Sequence, residues 1–321
     1  MMKKIILVFG DPNSINSELI FKSWNKLNFK IRKRIYIIGN YNLISKQLKK
    51  LKYKLKLKKI NHIDDKFFNT SIKIIDVKVN FKNPFDVSIK ESSKFIRESL
   101  NLAHKYALNK NVSGIVNCAI DKKTLNLNKS VKGVTEFLAS KCGIKDKSEV
   151  MLIKNDKIAV CPVTTHLPIK KISRNINKDL IIRKVKTINS WFKKNLNKSP
   201  KIAILGLNPH NSEMIRGSEE TKIILPAINS LKKLGINVNG PYVADTIFIN
   251  DYKRYDVIVG MFHDQVLAPF KSIFKFDAIN LTLGLKYIRV SPDHGTAKTL
   301  IGKNKANSLS LIKCLSFVSK F

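Results

Sequence analysis

The chain has 321 residues, 44% of them hydrophobic, and its 60 lysines and arginines against 23 acidic residues give a formal net charge of +37. That length and apolar content suffice for two domains or one large α/β unit with a full core, which excludes a disordered chain. No run approaches the roughly 18 consecutive apolar residues of a membrane span, and MMKKIILVFGDPN reaches a turn too early for a secretion signal, so a soluble, cytoplasmic protein with no membrane partner is expected.

The first elements are short β-rich runs, KKIILVFG at 3–10 and RIYIIG at 34–39. Next comes the densest basic patch, KKLKYKLKLKK at 49–59, whose alternation after Tyr53 fits a strand with a solvated lysine face. Only eight of the 60 basic residues are arginine, the favoured reader of base edges, and lysine is scattered along the chain beside abundant Ile and Asn. No specific nucleic-acid partner is expected, although a basic surface would steer anionic small molecules. SIKIIDVKV at 71–79 predicts another strand. Residues 87–109 predict a helix, with Phe95, Ile96, Leu100, Ala103, Ala107 and Leu108 at helical spacing.

Strand-like runs then recur as SGIVNCAI at 113–120, KIAILGL at 201–207, YDVIVGM at 255–261 and AINLTLG at 278–284. GSEETKIILPAINSLKKLG at 217–235 predicts a helix with a Ser218 cap, an acidic first turn and a terminal glycine. This alternation is an α/β rhythm without internal repeats or low-complexity linkers. Domain crossings are expected near 120–135 and near 265, which divides the chain into 1–125 plus 266–321, read as a nucleotide-binding α/β domain, and 126–265, a substrate, metal and dimerisation α/β domain. Cys118, Cys142, Cys161 and Cys314 form no CxxC pair and read as reduced core residues.

VIVGMFHDQ, 257–265, carries an apolar strand straight into a histidine, a carboxylate and an amide. A buried strand ending this way places its polar residues at the carboxyl edge of a sheet, where open α/β folds build their sites. Of six histidines, His166, His210, His263 and His294 share such a setting, in TTHLP, GLNPHNSE, GMFHDQ and SPDHGTA; His62 and His104 do not and read as surface residues. Taken singly, each of the four reads as a hydrogen-bonded turn residue. Three imidazoles gathered from separate strands would instead hold zinc or another divalent ion with a position open to substrate. Asp245 and Asp264 are candidates to orient an imidazole or polarise a water, with a turn cap the other reading of Asp245. Lys271, Asn280 and Arg289 suit a phosphate or carboxylate, the arginine through a bidentate fork. HGTAKTLIGKNKAN at 294–307 predicts a turn opening a helix, with free backbone amides for an anion or nucleotide. No GxGxxG follows any predicted strand, which excludes a conventional Rossmann site.

In order along the chain, TTHLP, GLNPH, GPYVADTIF, MFHDQ, APFK, INLTLG and IRVSPDHGTA together resemble the 4-hydroxythreonine-4-phosphate dehydrogenase family of vitamin B6 synthesis, over about Gly133 to Asn307 with a weaker echo at GDPNSINSEL. The resemblance implies an isocitrate/isopropylmalate-dehydrogenase-like fold of two α/β domains with the active site in the cleft between them. It also implies a homodimer whose metal site draws on both subunits. By position, the implied metal ligands are His166, His210 and His263, for Zn, Mg or Co, and the implied substrate contacts are Thr135, Lys271, Asn280 and Arg289. Asp245 and Lys271 are the candidates for catalytic roles. HGTAxxLxGKxxAN resembles the adenosine-binding loop of the wider superfamily, implying NAD or NADP at Asp293, His294, Gly295, Thr296 and Asn307.

The activity so implied is metal-dependent oxidation by NAD(P) of the secondary alcohol of 4-phosphohydroxy-L-threonine, followed by decarboxylation to 3-amino-2-oxopropyl phosphate. The alternatives are a dehydrogenase for a related four-carbon phosphorylated hydroxy acid and a degenerate, non-catalytic metal-binding relative. Three departures motivate them. The family's GHTE reads GVTE, so Val134 offers substrate no hydrogen bond. Its GPVHK-like turn reads CAIDK, with Asp121 in place of a histidine, and its PAGIGPE-like loop reads PNSINSE, Pro12 to Glu18, without glycines. An aspartate near a phosphate repels it, where an imidazolium would attract it.

Overall fold

The computed structural model describes residues 2–65, 71–126 and 133–321. Part of the 120–135 stretch expected to hold the first domain crossing, residues 127–132, lies outside the described residues. Two units divide the chain: Met1–Gly143 with Leu285–Phe321, and Ile144–Gly284.

The first unit is built on six parallel strands in the order β3-β4-β2-β1-β5-β12. They are β1 (Lys4–Val8), β2 (Ile35–Gly39), β3 (Leu57–Ile60), β4 (Ile72–Asp76), β5 (Val112–Asn117) and β12 (Arg289–Pro292). Parallel strands are linked by crossovers that cover both sheet faces, so they read as continuous rather than alternating apolar runs. All residues of β2 and β5 are buried accordingly. Each fully buried Ile, Leu or Val contributes about 1.5–3 kcal/mol. The crossover helix Ile89–Ala107 starts where Ser88 Oγ accepts the Glu91 amide at 3.3 Å, and it buries Phe95, Ile96, Leu100, Ala103 and Ala107. Leu108 departs from the expected stripe: it lies past the last helical residue and is exposed.

The second unit has the order β11-β6-β7-β10-β8-β9. Its strands are β6 (Val150–Lys154), β7 (Ala159–Thr164), β8 (Ile202–Leu205), β9 (Val238–Tyr242), β10 (Val257–Phe262) and β11 (Ile279–Leu283). β7, β10, β8 and β9 run parallel, whereas β6 pairs antiparallel with both β7 and β11. The helix His263–Phe274 follows β10 and buries Val266, Leu267 and Phe270 in a core with Ile153, Val160, Leu205 and Ile258.

Several expectations are corrected. The lysine patch starts inside a helix, Tyr41–Lys50, turns at Lys52 with φ 59°, and pairs as a strand only from Leu57, although Lys54, Lys56 and Lys58 do form an exposed row. The segment 217–235 is not one α-helix: a π-helical turn, Glu220–Ile224, precedes the α-helix Leu225–Lys233. Pro226 supplies no amide to close an α-turn onto Lys222, and the wider turn accommodates that loss. No α-helix opens at His294. Ala297 turns left-handed, a three-residue 3-10 turn Lys298–Leu300 follows, and the next helix is Leu309–Val318. His104 is half-buried rather than a surface residue, with Nδ1 2.8 Å from the Tyr287 hydroxyl. All four cysteines are reduced and buried, as expected.

Gly10, just beyond β1, has φ +82°, and a Cβ there would stand 2.6 Å from the Ala119 carbonyl oxygen and 2.8 Å from Asn16 Nδ2. Gly10→Ala should therefore destabilise the protein by about 1–3 kcal/mol, measured as a lower denaturation midpoint at unchanged slope. A second outcome concerns His104, whose imidazole is held below its ordinary value of 6.5 by burial and then by Lys141 and Lys286. The unfolded chain takes up that proton more readily, so the contribution is present above pH 6.5 and is lost as pH falls through the window just below it. The melting temperature of the native chain should fall further on acidification through that window than that of His104→Gln.

Candidate active site

Parallel pairing puts the ends of β7, β10 and β8 at one edge, and the three candidate ligands follow those ends: His166 after Thr164, His263 directly after Phe262, and His210 after Leu205. The rings of His166 and His263 lie 5.7 Å apart between centroids. His263 Nδ1 is 2.7 Å from Asp264 Oδ1, so the carboxylate next in sequence holds that nitrogen and orients the ring. His210 does not join them. Its Nδ1 is 3.4 Å from Glu213 Oε1, and among the described residues no group of three His, Cys, Asp or Glu is gathered for a metal ion within one chain.

The His210 loop is strained. His210, Asn211, Ser212, Glu213 and Met214 all have φ between 46° and 56°. Runs of left-handed L-residues are unfavourable and persist only where surrounding bonds over-determine them. Here Glu220, fully buried, accepts the amides of Leu207 at 2.8 Å and Asn208 at 2.9 Å. Burial alone would raise its carboxyl, but the bonds from Asn208 and Leu207 prevail and hold it below its usual range. Asn211 Nδ2 donates to the Pro241 carbonyl at 3.1 Å, and the Asn211 carboxamide fills the space that a side chain on Gly206 would need. Gln265 completes the brace: Oε1 accepts the Met261 amide at 2.7 Å and Nε2 donates to the Gly206 carbonyl at 2.7 Å. The amide of the HDQ triplet thus ties the end of β10 to the end of β8.

The other candidates of this unit are more scattered. Lys271 is exposed on the helix that His263 begins, and Asn280 is half-buried in β11. Asp245 is exposed in the first turn of the short helix Ala244–Ile247.

In the first unit, Arg289 begins β12 with its guanidinium buried. Its Nε donates to Asn117 Oδ1 at 2.8 Å and its Nη1 to Thr135 Oγ1 at 3.3 Å, which brings two of the expected substrate contacts together. Burial lowers its pKa to about 10, so the group stays charged at neutral pH. A desolvated guanidinium in a defined fork favours a planar or tetrahedral oxyanion.

The 293–307 segment is anchored on the PNSINSE segment and on the helix Asn16–Lys26 that it opens. The Ile15 amide donates to the Thr296 carbonyl at 3.2 Å, the Ala306 amide to Glu18 Oε1 at 2.8 Å, and Lys22 Nζ to the carbonyls of Asn304 and Ala306. The Asp293 amide donates to Ser310 Oγ at 3.0 Å, Gly295 is exposed, and Asn307 Oδ1 accepts the Leu309 amide at the start of the last helix. His294 Nδ1 lies 2.9 Å from the Gly295 carbonyl oxygen, while its buried Nε2 has no hydrogen-bond partner among the described residues. Asp121 caps the turn Lys122–Leu125 through the Lys123 amide, and Lys298 Nζ reaches its other oxygen at 3.2 Å. Asp11, buried beside it, accepts the amides of Asn13 and Asp121, and desolvation raises its carboxyl.

Sequence reasoning missed Glu220, Asn117, Asp11 and Lys298. Asn117 and Asp11 carried a usable signal, being polar residues at the ends of apolar runs. Glu220 was visible only as an acidic first turn, and Lys298 had no signal among 52 lysines.

Residues 30–318 match the family model described as pyridoxal phosphate biosynthetic protein PdxA. The chain is 39% identical to the 4-hydroxythreonine-4-phosphate dehydrogenase of Sulfurihydrogenibium sp. (strain YO3AOP1), over 98% of this chain and 97% of that protein. It is 37% identical to that of Aquifex aeolicus (strain VF5), over 99% and 98% respectively. The crystal structure of the Klebsiella pneumoniae 4-hydroxythreonine-4-phosphate dehydrogenase superposes with a TM-score of 0.87 at 28% identity, covering 99% of this chain and 98% of that one. The fold is thus the two-domain, isocitrate/isopropylmalate-dehydrogenase-like α/β class, and the chain belongs to the pyridoxal phosphate biosynthetic protein PdxA family.

Proposed function

We propose that this chain oxidises 4-phosphohydroxy-L-threonine at its secondary alcohol with NAD or NADP, in a metal-dependent reaction whose 3-oxo acid loses carbon dioxide to give 3-amino-2-oxopropyl phosphate. The observation that carries the reading is the pairing of His166 and His263 at the ends of adjacent parallel strands, 5.7 Å between ring centroids. Two imidazoles on one zinc, with Zn–N bonds of about 2.1 Å, place their ring centroids roughly 5 Å apart, so the pair fits two positions of such a centre. The Asp264 carboxylate on Nδ1 leaves Nε2 as the ligating nitrogen of His263. His210 is the third ligand, contributed in a homodimer by a second copy of the chain.

His166 and His263, with His210, would hold a divalent cation there, and it would supply Lewis-acid chemistry toward the substrate's alcohol and carbonyl oxygen. NAD(P), the hydride acceptor, binds along Asp293, His294, Gly295, Thr296 and Asn307. Arg289, oriented by Asn117 and Thr135, grips an anionic end of the substrate and fixes the direction of the reacting C–H bond. Lys271 and Asn280 serve as further substrate contacts, and Asp245 and Lys271 are the candidates for catalytic roles. The first unit, with the 293–307 segment, binds the nucleotide, and the second carries the metal ligands and the dimer contact. Val134, where the family pattern has a histidine, favours a second reading in which the substrate is a related four-carbon phosphorylated hydroxy acid.

Purified protein given 4-phosphohydroxy-L-threonine, NAD or NADP and a divalent ion should form reduced nicotinamide, and chelation should abolish it. Metal binding without turnover on any phosphorylated hydroxy acid would overturn the reading. His210→Ala should lower kcat/KM on the order of 100-fold or more with little change in melting temperature, whereas His104→Ala should cost far less activity. Equal losses would remove His210 from the ligand set.

A further inference from the structure

Asp121 poses an electrostatic problem at the carboxyl edge of β1 and β5, where a parallel sheet receives its ligands. Its amide donates to Asp11 Oδ2 at 3.3 Å, and its own carboxylate is near enough to help raise that of Asp11, so two carboxylates share this edge where the family pattern has a histidine, and an approaching anion would be repelled. Lys298 resolves the problem. It extends from the turn that follows His294 and places its ammonium 3.2 Å from Asp121 Oδ2. The pair is partly exposed, 50% for the lysine side chain and 27% for the aspartate. Its separation exceeds the 2.7–2.9 Å typical of a tight charge-assisted bond, so it is a weak pair. The turn itself is docked by the bond from Ile15 to Thr296, and it presents His294 Nε2, buried and without a hydrogen-bond partner among the described residues.

We propose that Lys298, resting on Asp121 in the ligand-free chain, transfers to a phosphoryl oxygen of the bound ligand and acts as the cation that this chain uses in place of the family's histidine at position 121. A phosphate monoester, or the diphosphate of a dinucleotide taken as a whole, carries more charge and more acceptor oxygens than a single carboxylate, and therefore competes for the ammonium. Asp121 serves as the resting partner that keeps Lys298 over the edge. The phosphoryl group belongs either to a phosphate ester or to the diphosphate of a dinucleotide. The inference rests on the proposed function only for the identity of that ligand.

The test is calorimetric titration of the full chain with NAD and, separately, with inorganic phosphate, neither of which requires turnover. Lys298→Met should weaken at least one of the two by tenfold or more, and Lys298→Arg should stay within threefold of the native chain. The double variant Asp121→Asn with Lys298→Met should remain at least fivefold weaker than Asp121→Asn alone, because the lost contact is to the ligand. A loss confined to NAD assigns the contact to the diphosphate, and one confined to phosphate assigns it to the ester; both support the proposal. Binding of both probes by Lys298→Met within twofold of native would overturn it. So would a double variant equal to Asp121→Asn, since Lys298 would then serve only to neutralise Asp121. Absence of dehydrogenase activity in the native chain would defeat the proposed function while leaving the Lys298 result intact.

Discussion

Parallel pairing of backbone strands is the constraint from which the rest of this protein follows. A parallel ladder cannot be closed by a tight turn, so each strand is followed by a crossover, both sheet faces are covered, and the strand interiors become uniformly apolar. The polar side chains needed for chemistry are thereby displaced to the positions just beyond each strand. Because neighbouring parallel strands end at one edge, residues far apart in sequence arrive together. His166 and His263 meet in this way after β7 and β10. Arg289 is different: it is the first residue of β12 and reaches Asn117, the last residue of β5, from within the sheet.

Polar groups concentrated at a sheet edge must be satisfied there, because an unpartnered buried donor or acceptor is costly. The second unit does so with Glu220 and Gln265, which between them bind the amides of Leu207, Asn208 and Met261 and the carbonyl of Gly206. This brace holds the His210 loop in a left-handed conformation that the chain would not adopt unaided. The first unit buries a guanidinium and directs it with an amide and a hydroxyl. The two units thus hold different chemistry, imidazoles in one and a desolvated cation in the other.

Two of the three departures from the family pattern, PNSINSE and CAIDK, acquire a common meaning in space. Asn16, from the loop that has lost its glycines, donates to the carbonyls of Phe9 and Ala119 at 2.9 Å each, binding PNSINSE to the CAIDK turn. Gly10, just upstream, lets its backbone pack against the Ala119 carbonyl of that turn. Glu18, from the same segment and in the first turn of the helix Asn16–Lys26, secures Ala306, and Asp121 of the CAIDK turn engages Lys298, so both altered segments hold the 293–307 segment. Changes that look like erosion along the chain are mutually accommodated in the fold.

Much of the architecture was legible before any coordinates. The apolar runs at β1, β2, β4, β5, β8, β10 and β11, and the helix over 89–107, are written in local periodicity, which depends only on neighbours along the chain. The ordered motifs were enough to name the family, and the polar residues after strands marked where chemistry would gather. Local pattern could not foresee that Pro226 would open a π-turn, that the stretch after His294 would turn left-handed, or that the lysine patch would pair only from Leu57. Nor could it distinguish Lys298 from 51 other lysines, or recognise Glu220 as a buried brace. Those identities depend on what stands across space from each side chain. Composition and periodicity determined which segments become strands and helices, and the three-dimensional packing decided which charges are buried, which are paired, and which histidines meet.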